Sequence, residues 1–330
     1  MSQFLNQVQR AQTRETSDLT DIDMSQVANS LAEARQPRPE PPSNGNRESM
    51  AGLLDGLLDS NSAGAQLGES RLQNCRKFEI PHVSSKLMFP DSEIANTSVG
   101  ESYKGVRTRL LRAQATMGIR TMCISSAVPS EGKTLTSANI GLCCAQLSSL
   151  RVLLIDADLR TAGLSTLLGL AEGPGLSEVL AGTAQYGDAI ASSSYRDLYL
   201  LPAGKAGLPA PELFAGTRWK ELVGWAAESF NLVIVDTPPI LSVSDFELIA
   251  AGCDTALLVV RARRTLRETL ERALEKIDRK KLLGTIFNAM EAPQHSRGDG
   301  YYYRYGAYGN ATDPRQKKST GDRKPEPVKA

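Results

Sequence analysis

The stretch "TMCISSAVPSEGKTLTSANIGLCCAQL" constrains this chain more than any other. An apolar run passes into a loop of small residues, reaches Gly132-Lys133-Thr134 and continues as a helix-forming segment expected over 133–149. Strand, small-residue loop and helix in that order build an anion nest. The loop amides and the unpaired N–H groups of the first helical turn point at one place. In such a nest Lys133 reaches the β- and γ-phosphates of a nucleotide and the Thr134 hydroxyl sits on Mg²⁺. Ser130, Glu131 and Gly132 complete the phosphate-binding run. The strict G-x-x-x-x-G-K-[ST] pattern fails at one point, because Ala127 stands where its first glycine belongs. Lys133 is expected on a solvated loop, clear of the core.

A nest of this kind needs a sheet behind it. Short apolar runs read as buried strands at 121–125, 151–156, 198–203, 231–236, 255–260 and 282–288, with helical stretches at 211–229 and 265–280. Strands alternating with helices predict an α/β fold, P-loop NTPase-like, with a mostly parallel sheet and helices on both faces. Two of the strands end in acid. "RVLLIDADLR" closes on Asp156, with Asp158 and Arg160 just beyond, and "NLVIVDTPPI" closes on Asp236 before Pro238-Pro239. Carboxylates at the end of a buried strand are costly unless a metal or a phosphate answers them. In a parallel sheet the C-terminal strand ends share one edge, where ligands bind. One Mg-nucleotide there would unite the loop, Asp156, Asp158 and Asp236.

The flanks differ from the centre. Residues 1–80 are polar and are interrupted by "RQPRPEPPSNGNRES", which cannot bury a core. They are expected to be a disordered or partner-docking segment. The apolar patches around Phe4, Leu5 and Val8, and around Leu53, Leu54, Leu57 and Leu58, read equally as docking peptides or as incidental nascent helices. The α/β domain is expected over 81–290, and 291–330 is a turn-rich, mixed-charge tail expected to be disordered. The formal net charge of +1 gives no field that argues for nucleic acid. The five cysteines lack metal spacing and are accompanied by two histidines, so they read as buried reduced thiols and not as a zinc site. The N-terminus lacks the apolar stretch of a secretory signal, and no run approaches the roughly 18 apolar residues of a spanning helix.

"GYYYRYGAYG" holds Tyr301, Tyr302, Tyr303, Tyr305 and Tyr308, five of the nine tyrosines, on one glycine-flanked segment. A packed core would disperse them. Together with "SSAVPSEGKT", "LLIDADLR" and "VIVDTPP", this cluster resembles the bacterial tyrosine kinases of capsule and exopolysaccharide assembly, the BY-kinases. The resemblance spans about residues 95–310. It implies a protein-tyrosine kinase using ATP and Mg²⁺, with Lys133, Asp156 and Asp158 catalytic and Ser130, Glu131, Gly132, Lys133, Thr134, Arg160 and Asp236 on the nucleotide. Thr134, Asp158 and Asp236 would serve the metal, although which aspartate plays which part stays open. The tyrosine cluster would be the phosphoacceptor, in trans.

"ESYKGVRTRL" is similar to the family's Glu-x-x-Arg-x-x-Arg stretch and implies ring-like self-association through Glu101, Lys104 and Arg107. Lysine replaces the middle arginine and loses its bidentate geometry; an ordinary charged helix is the other reading. The resemblance further implies a cytoplasmic kinase of the stand-alone type. It would lie against the inner face of the membrane through a chain-length-determinant type partner and be answered by a tyrosine phosphatase. A competing class is the partition or division-site ATPase. Val128 stands where those proteins carry a signature lysine, and the tail is not an amphipathic helix.

Overall fold

The computed structural model describes residues 75–81, 86–147, 150–205 and 207–290. The N-terminal apolar patches, the tyrosine cluster and the tail lie outside the described residues.

The strands are β1 (Arg76–Phe78), β2 (Thr121–Ser126), β3 (Val152–Asp156), β4 (Ala191–Ser193), β5 (Leu198–Leu201), β6 (Leu232–Asp236), β7 (Thr255–Arg261) and β8 (Leu282–Asn288). They form one sheet in the order β1-β4-β5-β3-β6-β2-β7-β8. Every neighbouring pair is parallel except β4 with β5. All six strands expected from the apolar runs are present. β1 and β4 were not expected, and β1 carries the sheet edge into the segment read as lying before the domain. Neither "RKF" nor "ASS" has an apolar run to announce it.

Side chains alternate across the sheet with period two. Leu153 and Ile155 of β3 and Val233 and Val235 of β6 enter one core. Their neighbours Val152, Leu154, Leu232 and Ile234 enter the other. A strand buried on both faces reads as a continuous apolar run, which is why these two were legible in the sequence. The helices α1 (Ser98–Met117), α2 (Lys133–Ala145) and α3 (Gly163–Leu167) pack into the second core. The first takes α4 (Leu176–Ala181), α6 (Ala210–Ala215), α7 (Thr217–Ser229), α8 (Asp245–Gly252) and α9 (Arg267–Glu275), while α5 (Tyr186–Ala189) is a single turn before β4. The helix expected over 211–229 is two, because Gly216 adopts extended backbone (φ −70°, ψ 164°) between α6 and α7.

Local contacts seat α1 and α2. α1 is opened by the Thr97 side chain, which accepts from the Gly100 amide at 3.4 Å, and is closed by Gly118 at φ 67°. α2 lies tight on the sheet. A Cβ at Gly141 would stand 2.7 Å from Leu154 Cδ2, so only glycine lets the helix approach β3 this closely.

Candidate active site

β2 and β3 flank β6, and Asp156 and Asp236 are direct register partners across β3 and β6. The loop 127–132 leaves β2 on the same edge and delivers Lys133 as the first residue of α2. Lys133 was expected on a solvated loop, but the residue is only 9% exposed. Its ammonium donates to Asp158 Oδ2 at 3.0 Å and lies 3.6 Å from Asp236 Oδ2. It also reaches Thr134 Oγ1 at 3.1 Å. The sequence places the lysine correctly but hides the carboxylates that draw it inward, because they come from β3 and β6.

Asp236 is wholly buried and uses both oxygens. Thr134 Oγ1 donates to Oδ2 at 2.8 Å, and Ser137 Oγ donates to Oδ1 at 2.9 Å. Asp156 is also wholly buried. Its Oδ2 accepts from the Ser165 amide and from Ser165 Oγ, each at 2.7 Å. Asp158 keeps 3% exposure, and its Oδ1 accepts from the Thr161 amide at 3.3 Å. Three carboxylates face one ammonium, and the acidities respond. Burial, then the charge of Asp236, pushes the Asp156 carboxyl up to about 6 against the Ser165 hydrogen bonds. Burial likewise raises Asp236, opposed by Lys133, Thr134 and Ser137. Burial works against the Lys133 ammonium, but Asp236, Asp158 and Asp156 outweigh it, and its pKa is raised.

The other expected residues divide. Ser130, in the left-handed region at φ 67°, and Gly132, at φ 93°, shape the loop. Glu131 turns its side chain into protein: Oε2 accepts from the Val128 amide at 2.9 Å and Oε1 accepts from Thr265 Oγ1. Arg160 stands half exposed beside the site with Nε on Asp245 Oδ2 at 3.3 Å. On α1, Lys104 and Glu101 pair at 2.8 Å on the surface. Arg107 instead donates to the Cys143 carbonyl at 2.9 Å, holding α1 to the end of α2. All five cysteines are free and buried, as expected.

Sequence reading missed Ser137, Ser165, Asp245, Thr265 and Asn288. Ser137 had a signal, one helical turn beyond Lys133 on the same face. The others are brought in by the fold from distant segments.

No protein-family model matches the chain. It is 34% identical over 219 residues to tyrosine-protein kinase YwqD of Bacillus subtilis (strain 168), a match covering 66% of this chain and 89% of that protein. It is 31% identical over 229 residues to tyrosine-protein kinase CpsD of Streptococcus agalactiae, covering 68% and 96%. Against tyrosine-protein kinase Wzc of Salmonella typhimurium the identity is 33%, but the match covers 29% of that longer protein. Among solved structures, the kinase domain of Escherichia coli tyrosine kinase ETK superposes with a TM-score of 0.58 at 29% identity, covering 66% of this chain and 87% of that one. The chimerical protein CapA2B2 also gives 0.58, at 26% identity, covering 69% and 100%. Relatives matched over nearly their whole length and a shared kinase-domain fold lead to one conclusion: the chain belongs to the bacterial tyrosine kinase (BY-kinase) family and is a nucleotide-binding protein-tyrosine kinase.

Proposed function

We propose that this kinase is an ATP-dependent autokinase that phosphorylates Tyr301, Tyr302, Tyr303, Tyr305 and Tyr308 in trans and so regulates polymerisation and export of an exopolysaccharide or capsule. The observation that carries the reading is the meeting of Lys133, Thr134, Asp158 and Asp236 on one sheet edge at the start of α2. A free phenol, with a pKa of about 10, is a poor nucleophile at neutral pH. The γ-phosphate must be neutralised and the phenol must lose its proton as it attacks. Lys133 supplies the first. Asp158 supplies the second, being the one of the three aspartates that keeps any exposure. The phenol oxygen bonds to the γ-phosphorus, the bond to the β–γ bridging oxygen breaks, ADP leaves and the proton passes to the carboxylate. Asp156, enclosed by Ser165, braces the turn that presents Asp158, its Oδ1 accepting from the Asp158 amide at 3.3 Å.

The residues fit a divalent cation. Three carboxylates against one ammonium leave excess negative charge, and the Thr134 hydroxyl stands on Asp236. No three His, Cys, Asp or Glu side chains close around one point among the described residues. The site therefore suits Mg²⁺, which takes one or two protein ligands and completes its shell with nucleotide oxygens and water. Bound through Thr134 and Asp236, it would neutralise charge developing on the phosphates.

Each phosphate would add about −1.5 to −2 charge to the tail. Repulsion among phosphorylated tails then favours smaller assemblies. Self-association would use the surface side of α1 that carries Glu101 and Lys104. Arg107 contributes through its hold on α2. A separate membrane activator would bring the kinase to the inner face of the membrane. A cognate phosphatase would reset it.

The test mixes two proteins with Mg-ATP. One is Lys133→Met with its tail intact. The other carries Phe at all five tail tyrosines and an intact site. Phosphate appearing on the tail of the Lys133→Met protein is the expected result, read by peptide mass spectrometry. An unlabelled Lys133→Met protein overturns transfer in trans, and full labelling of the tail-Phe protein elsewhere overturns the acceptor.

A further inference from the structure

Phosphate loops usually bend on glycine, and this one does so with few. Ala127 occupies the first glycine position, and Ser130 sits at φ 67°, where an L side chain stays only when its surroundings hold it. The hold comes from outside the loop. Arg261 Nη1 donates to the Ser130 carbonyl at 3.0 Å. Asn288 Nδ2 donates to the Glu131 carbonyl at 2.9 Å. The loop lies flat against Asn288, and a Cβ at Gly132 would stand 2.1 Å from Asn288 Nδ2.

The buried Glu131 carboxylate ties the loop across its own turn, from the Val128 amide on one oxygen to Thr265 Oγ1 on the other. The Thr265 hydroxyl also faces the Arg261 carbonyl at 3.1 Å and accepts from the Arg261 amide at 3.2 Å. One turn after β7 thereby holds both Thr265 and Arg261 in place.

Peptide planarity converts these contacts into function. Among the described residues there is no cis peptide bond. In a trans peptide the carbonyl and the next N–H point in opposite directions. Fixing the Ser130 carbonyl on Arg261 aims the Glu131 N–H the other way. Fixing the Glu131 carbonyl on Asn288 does the same for the Gly132 N–H. We infer that Arg261, Thr265 and Asn288, which belong to none of the nucleotide motifs, are positioning residues that aim the amides of a glycine-poor phosphate loop. The inference rests on this loop being the nucleotide site.

The experiment uses full-length protein and measures the affinity for fluorescent Mg-ADP, the KM for ATP, kcat and the melting temperature. Thr265→Val removes the hydroxyl and keeps the shape. It should weaken ADP and raise the KM by about tenfold, since small displacements of aligned groups have large effects. Thr265→Ser restores the hydroxyl and should stay within about threefold. Arg261→Met acts on a partly exposed side chain and keeps the test open should the valine variant fail to fold. It should weaken ADP by about three- to tenfold at a temperature well below melting. A purely structural bracket would lower the melting temperature and leave ADP affinity unchanged in the folded protein. ADP affinity within about twofold of the parent in Arg261→Met and in folded Thr265→Val overturns the inference. Parent protein that binds ADP and phosphorylates no tyrosine overturns the kinase chemistry proposed above and leaves the bracket standing.

Discussion

At the C-terminal end of the strands the Lys133 ammonium pairs with the side chains of Asp158 and Asp236. At the N-terminal end Asp254 and Lys281 bond to backbone. Asp254 Oδ2 accepts from the Arg120 and Thr121 amides at 2.9 and 2.8 Å. Lys281 Nζ donates to the carbonyls of Ala250, Ala251 and Cys253, at 2.9, 3.0 and 2.8 Å. That ammonium closes the end of α8, where a cation is favoured by the helix dipole and the unpaired carbonyls. A cavity of about 150 Å³, lined by Met117, Ile119, Asp254, Lys281 and Leu282 among others, opens at this same N-terminal end. Its lining carboxylate, Asp254, is already answered by the two amides. Identical residue types therefore do opposite work. One end satisfies the chain. The other concentrates three carboxylates around one ammonium.

Breaking the charged end should have the largest effect. Lys133→Met should lower tyrosine phosphorylation by about a thousandfold or more, the scale of losing a group that stabilises transition-state charge. It should also lower stability, because Asp158 and Asp236 lose their cation. Removing one partner of a buried pair costs about 3–5 kcal/mol, and Mg²⁺ should restore part of it. Initial rates and thermal melts with and without Mg²⁺ read both effects. A melt identical to the parent without Mg²⁺ would show that Lys133 does not neutralise the cluster.

Asp156 sharpens the contrast in the other direction. Its carboxyl is held at about 6, against a reference value of 3.8, chiefly by burial. The folded state thus binds the proton more tightly than the unfolded one. The contribution of this group to stability is full below the unfolded value and is lost as pH rises through about 6. At neutral pH the ionised group opposes folding. Asp156→Asn should therefore stabilise the nucleotide-free protein by about 1–3 kcal/mol at pH 7, while slowing transfer. The gain should shrink toward pH 4. Urea unfolding at several pH values measures it, and a gain that is the same at both ends of that window would disprove the assignment to ionisation.

The legible parts of this molecule are those written in contiguous residues. β3 and β6 are buried on both faces and announce themselves as apolar runs. Each ends in aspartate, and parallel pairing then makes Asp156 and Asp236 neighbours. Gly132-Lys133-Thr134 marks the start of α2 without help from anything distant. What could not be read depends on segments far apart in the chain. Thr265 and Asn288 meet the loop only because β7 and β8 stack beside β2. Glu131 looked like a ligand-facing acid until those partners were in place. Arg107 looked like part of an exposed charged side until α1 lay on α2 and the Cys143 carbonyl took its guanidinium. β1 and β4, three residues each, are set by pairing at the sheet edge and not by composition.

The N-terminal end supplies the smallest expected effect and the control for the rest. Asp254 is exposed, so water can partly replace it at the Arg120 and Thr121 amides. A hydrogen bond to a charged group contributes about 1.5–3 kcal/mol when shielded. With solvent access, Asp254→Ala should cost about 1–2 kcal/mol. Asp254→Asn keeps an oxygen for the same amides and should recover about half of that. The amides in question begin β2, and β2 ends in the phosphate loop. The strand between them is buried along its whole length, and its pairing with β6 and β7 fixes it independently of its first residue. Loosening the start of β2 should therefore leave ADP affinity unchanged while the urea midpoint falls. If Asp254→Ala weakened ADP as much as Thr265→Val, the strand would be transmitting its N-terminal anchoring to the loop. The two ends would then be one mechanical unit, not a structural end and a chemical end.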